Sequence, residues 1–162
     1  MSNPTAGLEI AGIEAMDGAD QEAITALVGQ MFIAFAKRSV ELLDGVYTDG
    51  ADGAYWINAF GSVKTGSAEI IDYLGGLFKD DNFDQGCVVS GPDCSLRRLD
   101  DDNVVVIAHL QIAGQGLVGG GEITLRDNRS VHVISRQPDG AWRIVTQMFQ
   151  DARTDSSYIN HS

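Results

Sequence analysis

Two β-rich runs near the end of the chain constrain its fold most. Arg129-Ser130-Val131-His132-Val133-Ile134-Ser135-Arg136 and Trp142-Arg143-Ile144-Val145-Thr146-Gln147-Met148-Phe149 flank the turn formers Pro138-Asp139-Gly140, a pattern that predicts a β-hairpin. The first run alternates polar and apolar residues. Ser130, His132 and Ile134 therefore share one face of a sheet, and Val131, Val133 and Ser135 share the other. A histidine on a largely apolar strand is either a satisfied core residue or part of a pocket wall. That choice decides whether the protein does chemistry.

Upstream, the periodicity changes. Ile24, Leu27, Val28, Met31, Phe32 and Phe35 recur at helical spacing behind Asp20, a candidate N-cap, and Lys37 and Arg38 suit the C-terminal end. Ser39 can cap a second, shorter helix containing Leu42, Leu43, Val46 and Tyr47. Turn formers over residues 48–53 then precede a strand at Ala54–Phe60, a turn at Gly61 and a return strand at Val63–Thr65. A third helix starts near Ser67 and carries Ile70, Tyr73, Leu74, Leu77 and Phe78, with Gly75-Gly76 weakening its end. Further strands are expected near Cys87–Leu99, Asn103–Ala113, Glu122–Ile134 and Ala141–Gln150. The sequence predicts a flexible arm over 1–17, one domain over 18–152 and a tail over 153–162.

With 162 residues, the chain can bury a full core. A net charge of −12 repels phosphate, which argues against a nucleic-acid partner and against an anionic membrane surface. Residues 1–17 contain no Lys or Arg, so they lack the basic start of a secretory signal, and a cytoplasmic location is expected. Cys87 and Cys94 form no CxxC motif and have no histidine cluster beside them, so two reduced thiols are expected rather than a metal or redox site. Residues 114–121 hold five glycines but lack the Lys-Ser/Thr ending of a phosphate-binding loop. No nucleotide and no other cofactor is expected.

Helices first, an early strand pair, another helix and then a β-rich half describe an α+β cone. Asp20-Gln21-Glu22-Ala23-Ile24, Leu43 to Ala51, Gly61 and Gly66 with Ile70, and Asp139-Gly140-Ala141-Trp142-Arg143-Ile144-Val145 resemble, in order and spacing, the nuclear-transport-factor-two-like superfamily. That superfamily includes ketosteroid isomerases and SnoaL-like cyclases. Within it the chain looks most like the SgcJ/EcaC-like proteins of enediyne and polyketide gene clusters. The resemblance covers residues 20–151. It implies a cystatin-like α+β roll: a curved antiparallel sheet wrapped around a hydrophobic pocket closed by three N-terminal helices. It also implies a homodimer through the outer sheet face and a hydrophobic small molecule as ligand. Many members of the superfamily only bind or assemble, so catalysis does not follow.

His109 and His132 are the candidate acid/base residues, since imidazole can take and return a proton near neutral pH. A register pairing 109 near 132 would put both rings on one face; otherwise one or both are structural or face outward. Asn58 can donate to a carbonyl or enolate oxygen, and Trp56 can stack on a flat ligand or pack in the core. Tyr47 and Tyr73 sit on apolar helix faces. Gln111 shares a face with His109, whereas Gln147 and Arg129 can lie on either side. The pair of carboxylic acids used by a ketosteroid isomerase has no counterpart here, because Glu122 and Asp127 fall near predicted turns. Asp151 closes the last strand, at the pocket mouth if the cone is as drawn.

Overall fold

The computed structural model describes residues 7–116 and 124–152. The long helix α1 spans Gly18–Lys37 and buries Ile24, Leu27, Val28, Met31 and Ala34 along one stripe. Its N-cap is Asp17 rather than Asp20. Asp20 instead sits in the first turn and is used across the structure: its carboxylate accepts from both Nη atoms of Arg136 at 2.8 and 2.9 Å and from the Trp142 indole at 3.0 Å. The Arg136 guanidinium lies over that indole, 4.6 Å from its centroid. Helix and sheet are thereby joined at one end.

The expected second helix is only a 3-10 turn at Val40–Leu43. Gly45 takes φ +72 and breaks the helical path. The backbone beyond it is then claimed by the last strand, with Ile144 donating to Val46 at 2.8 Å and Thr48 donating to Ile144 at 3.2 Å. Apolar spacing alone could not distinguish this bridge from a helical face. Among the described residues two α-helices and short 3-10 turns, not three helices, therefore cover the sheet. The other helix, α2, spans Ser67–Phe78 and runs through Gly75 and Gly76 unbroken.

The strands are β1 (Ile10–Ala11), β2 (Tyr55–Ile57), β3 (Val63–Thr65), β4 (Cys87–Arg98), β5 (Asn103–Ala113), β6 (Leu125–Arg136) and β7 (Trp142–Asp151). They form one sheet in the order β1-β4-β5-β6-β7-β2-β3. Strands β4 to β7 are antiparallel neighbours, while β1 pairs parallel with β4 and β2 pairs parallel with β7. The flexible arm expected over 1–17 is thus corrected in its second half: Ile10 joins the sheet, and Ile10 and Met16 are buried in the core. The tail at 153–162, and the Gly-rich loop from 117 onward, lie outside the described residues.

Val104, Val106, Ala108 and Leu110 of β5 point inward with Asn128, Ser130, His132 and Ile134 of β6. Along β7 the parity changes once. Ile134 pairs with Ile144 but Val133 pairs with Thr146, which leaves Val145 as an extra residue. Ile144 and Gln147, three apart, are consequently both buried. Among the described residues no helix is long and apolar enough to cross a membrane.

The Asp20 junction yields a stability prediction. Asp20→Ala leaves the Trp142 indole and the Arg136 guanidinium without their shared acceptor, and should lower unfolding free energy by about 1–3 kcal/mol. Urea denaturation of both proteins measures this; equal midpoints would show that the junction is not stabilising.

Candidate functional site

The inner face of the sheet carries a chain of polar side chains within an aromatic lining. Tyr47 Oη donates to Gln147 Oε1 at 2.5 Å, and Gln147 Nε2 meets His132 Nδ1 at 2.9 Å. His132 Nε2 in turn lies 2.8 Å from Ser130 Oγ. Each member is at most 2% exposed. Strand pairing explains the convergence: Val106, His132, Gln147 and Trp56 occupy one cross-strand row through β5, β6, β7 and β2. Tyr47 enters the same layer through its bridge to Ile144.

Rings close around the chain. Phe32 of α1 and Phe149 of β7 each approach His132 edge-on, at 6.2 and 6.3 Å between centroids. Phe149 also packs against Trp56 at 5.6 Å, and Trp56 against Tyr73 at 5.4 Å. Full burial among these groups disfavours the charged imidazolium and pushes His132 down to about 4 from an ordinary 6.5. The same burial pushes the Tyr47 phenol up, so it stays protonated. With Gln147 donating to Nδ1, the neutral ring carries its proton on Nε2, facing Ser130.

A charged group lies further along the same inner faces. Arg126 donates to Asp151 through Nε and Nη2, the latter at 2.8 Å, and through Nη1 to Gln115 Oε1 at 2.5 Å. Asn128 adds a bond to Asp151 at 2.9 Å. Arg126 and Asp151 retain 11% and 21% side-chain exposure, so this pair lies closer to solvent than His132 does. At the opposite end of β6, a cavity of about 310 Å³ is lined by Met16, Asp17, Asp20, Arg98, Asp101 and Arg136. Its Asp20, Asp101, Arg98 and Arg136 are engaged in ion pairs.

The two candidate histidines do not come together. His132 pairs with Val106, whereas His109 pairs with Arg129 on the outer face and binds Asp127 through Nε2. That hydrogen bond, with help from Arg129, holds the Asp127 carboxyl below its usual range. The register that would put both rings on one face does not occur, because 109 and 132 have opposite parity in this pairing. Gln111 follows His109 outward, opposite Asp127. Asn58 is engaged in the β2–β3 turn, where its Oδ1 accepts from the backbone of Phe60 and Ser62, leaving only a 3.4 Å contact from Nδ2 to the Tyr73 hydroxyl. Tyr47, Trp56, Tyr73 and Gln147 do gather beside His132. Cys94 is buried and Cys87 exposed, both as free thiols, and burial pushes Cys94 up to about 11.

Ser130, Asn128, Arg126 and Phe149 are the site residues that the sequence did not single out. The parity of β6 already aligned the first three with His132. Phe149 was hidden by the extra residue at Val145.

No family model matches the chain, and no curated protein matches its sequence. Solved structures do match its fold. An NTF2-like superfamily protein from Salmonella enterica superposes with a TM-score of 0.67 at 14% identity, over 85% of this chain and 94% of that one. The hexachlorocyclohexane dehydrochlorinase LinA-type3 of Novosphingobium barchaimii gives 0.68 at 19% identity, over 83% and 88%. A ketosteroid isomerase-like protein of Erwinia carotovora gives 0.62 at 12% identity, over 85% and 99%. The chain has the NTF2-like, cystatin-like α+β fold, a fold used by enzymes that act on small molecules.

The buried imidazole makes stability depend on pH. Because the folded pKa is lowered, the unfolded chain binds a proton where the native protein does not. The His132 contribution is complete above about pH 6.5 and is lost as pH falls toward 4. Across that window it should amount to about 3 kcal/mol. Denaturant titrations at pH 7.5 and 4.5 should show a steeper loss for the native chain than for His132→Gln; parallel losses would mean that His132 titrates normally.

Proposed function

We propose that this protein holds a hydrophobic small molecule against its inner sheet face and promotes cofactor-independent proton transfer on it. The observation that carries the reading is the fully buried His132, kept neutral between Ser130 and the Gln147–Tyr47 pair. A neutral imidazole is in the form a base requires, and Ser130 extends its reach by one hydroxyl. A half-turn of the Gln147 amide would let Oε1 accept from Nδ1–H, freeing the Nε2 lone pair. The chain could then both remove and return a proton. Isomerisation, cyclisation and dehydration all need such a shuttle, and the aromatic lining fits an unsaturated, polyketide-type ligand. The motif resemblance to SgcJ/EcaC-like proteins supports natural-product biosynthesis in the cytoplasm as the setting. The same fold in a dehydrochlorinase and an isomerase-like protein is compatible with this chemistry.

A second reading, binding without turnover, is favoured by one observation: both nitrogens of His132 are already engaged. Native mass spectrometry of protein from its producing cells, with extraction of the bound molecule, supplies the compound for a direct test. Conversion by the wild type, and a fall of at least about 100-fold in His132→Gln with binding retained, would establish proton transfer. Tight binding with no change in the compound would establish the accessory role.

The outer sheet face supports a homodimer. Ile107, Val131, Met148, Ile57 and Val63 form one cross-strand apolar row, in which Ile107, Met148 and Val63 are 48%, 41% and 51% exposed. Asp127 and Arg129 flank it with opposite charges that a two-fold axis can pair between copies. Met148→Asp should convert a dimer to a monomer by light scattering; an unchanged mass would exclude this face.

A further inference from the structure

Among the described residues, one buried side-chain polar atom has no hydrogen-bond partner: the indole Nε1 of Trp56. Trp56 is only 2% exposed, so bulk water does not serve it. Buried N–H groups left unpaired are uncommon, because the lost hydration is uncompensated. This one stands in a strand row with Gln147 and His132, whose polar atoms are all paired. Its ring shares Phe149 with His132, at 5.6 Å on one side and 6.3 Å on the other. The donor therefore belongs to the same aromatic layer as the candidate shuttle, but no described residue uses it.

We infer that Trp56 Nε1–H is the hydrogen-bond donor for an uncharged acceptor oxygen, a ketone or similar carbonyl, on the molecule bound in this layer. The inference rests on the interior-binding reading above and narrows its ligand class. An indole N–H donates and cannot accept, so it selects an acceptor. An ammonium group or another pure donor would leave it unpaired. A carboxylate is disfavoured, because the apolar surroundings that keep His132 neutral would equally penalise a buried anion. Asn58, the residue from which sequence reasoning expected carbonyl binding, is committed to the β2–β3 turn. The role passes to its neighbour on the strand. Trp56 and His132 are two strands apart, roughly 10 Å between backbones. The bound carbonyl and the carbon that exchanges a proton would then lie across Phe149 from one another.

A matched pair of probes tests this. 2-Acetylnaphthalene carries the ketone and 2-isopropylnaphthalene has a similar shape without it. In a ¹⁵N-labelled full-length chain, the ketone should move the Trp56 indole N–H resonance downfield and the hydrocarbon should not. By calorimetry, Trp56→Phe should weaken the ketone about tenfold relative to the hydrocarbon. If both probes bind the wild type equally and neither shifts the indole proton downfield, Trp56 is not the donor although the interior still binds small molecules. If neither probe binds, the interior-binding reading fails and this inference fails with it. Because the resonance shift is read in the wild type, the test stands even where Trp56→Phe does not fold.

Discussion

Gln147 and Phe149 face the interior because one extra residue, Val145, changes the pleat of β7. Ile144 and Gln147 both face inward across that irregularity. Without it, strict alternation from Trp142 and Ile144 would send Gln147 and Phe149 to the outer surface. Gln147 links Tyr47 to His132, and Phe149 joins the rings of His132, Trp56 and Phe35. A buried amide is costly unless both its ends are bonded. Here both ends are, so the irregular strand and the polar chain stabilise one another.

The electrostatic division of the molecule follows from the same geometry. The chain carries −12 overall, and its acids form the ion pairs Asp20–Arg136, Asp151–Arg126 and Asp139–Arg143 around the sheet. The deep interior behaves oppositely: burial drives His132, Tyr47 and Cys94 toward their neutral forms. A layer that suppresses charge on its own side chains will do so on a guest. The fold thus presents an acidic exterior around an uncharged, aromatic, hydrogen-bonding interior.

Much of this was legible in the sequence, for identifiable reasons. The stripes of α1 and α2 and the strands β4, β5 and β7 follow directly from apolar period and turn chemistry, and β6 begins only a few residues later than expected. Alternation put His132 on one face with Ser130 and Ile134, but left open whether that face turns inward. The helix expected around Tyr47 failed because its backbone partners belong to Ile144, 97 residues downstream. The facing of His109 stayed open because strand register depends on where the hairpin closes, which a Gly-rich connection does not fix. The role of Asp20 was invisible for a similar reason: a capping residue and a long-range ion-pair partner look alike in sequence.

The parallel seam between β2 and β7 has a consequence for biosynthesis. Among the described residues β7 is the last strand, and it touches β2, Tyr47 and β6 together. Its partners β2 and Tyr47 therefore wait on the ribosome until β7 has emerged. Loop-closure entropy makes such distant pairings slow, and the exposed edge of β2 has no partner during that interval. The contacts that Phe149 makes with Phe35, Trp56 and His132 form only when β7 arrives, so a nascent chain lacking β7 would display those rings to chaperones instead of packing them.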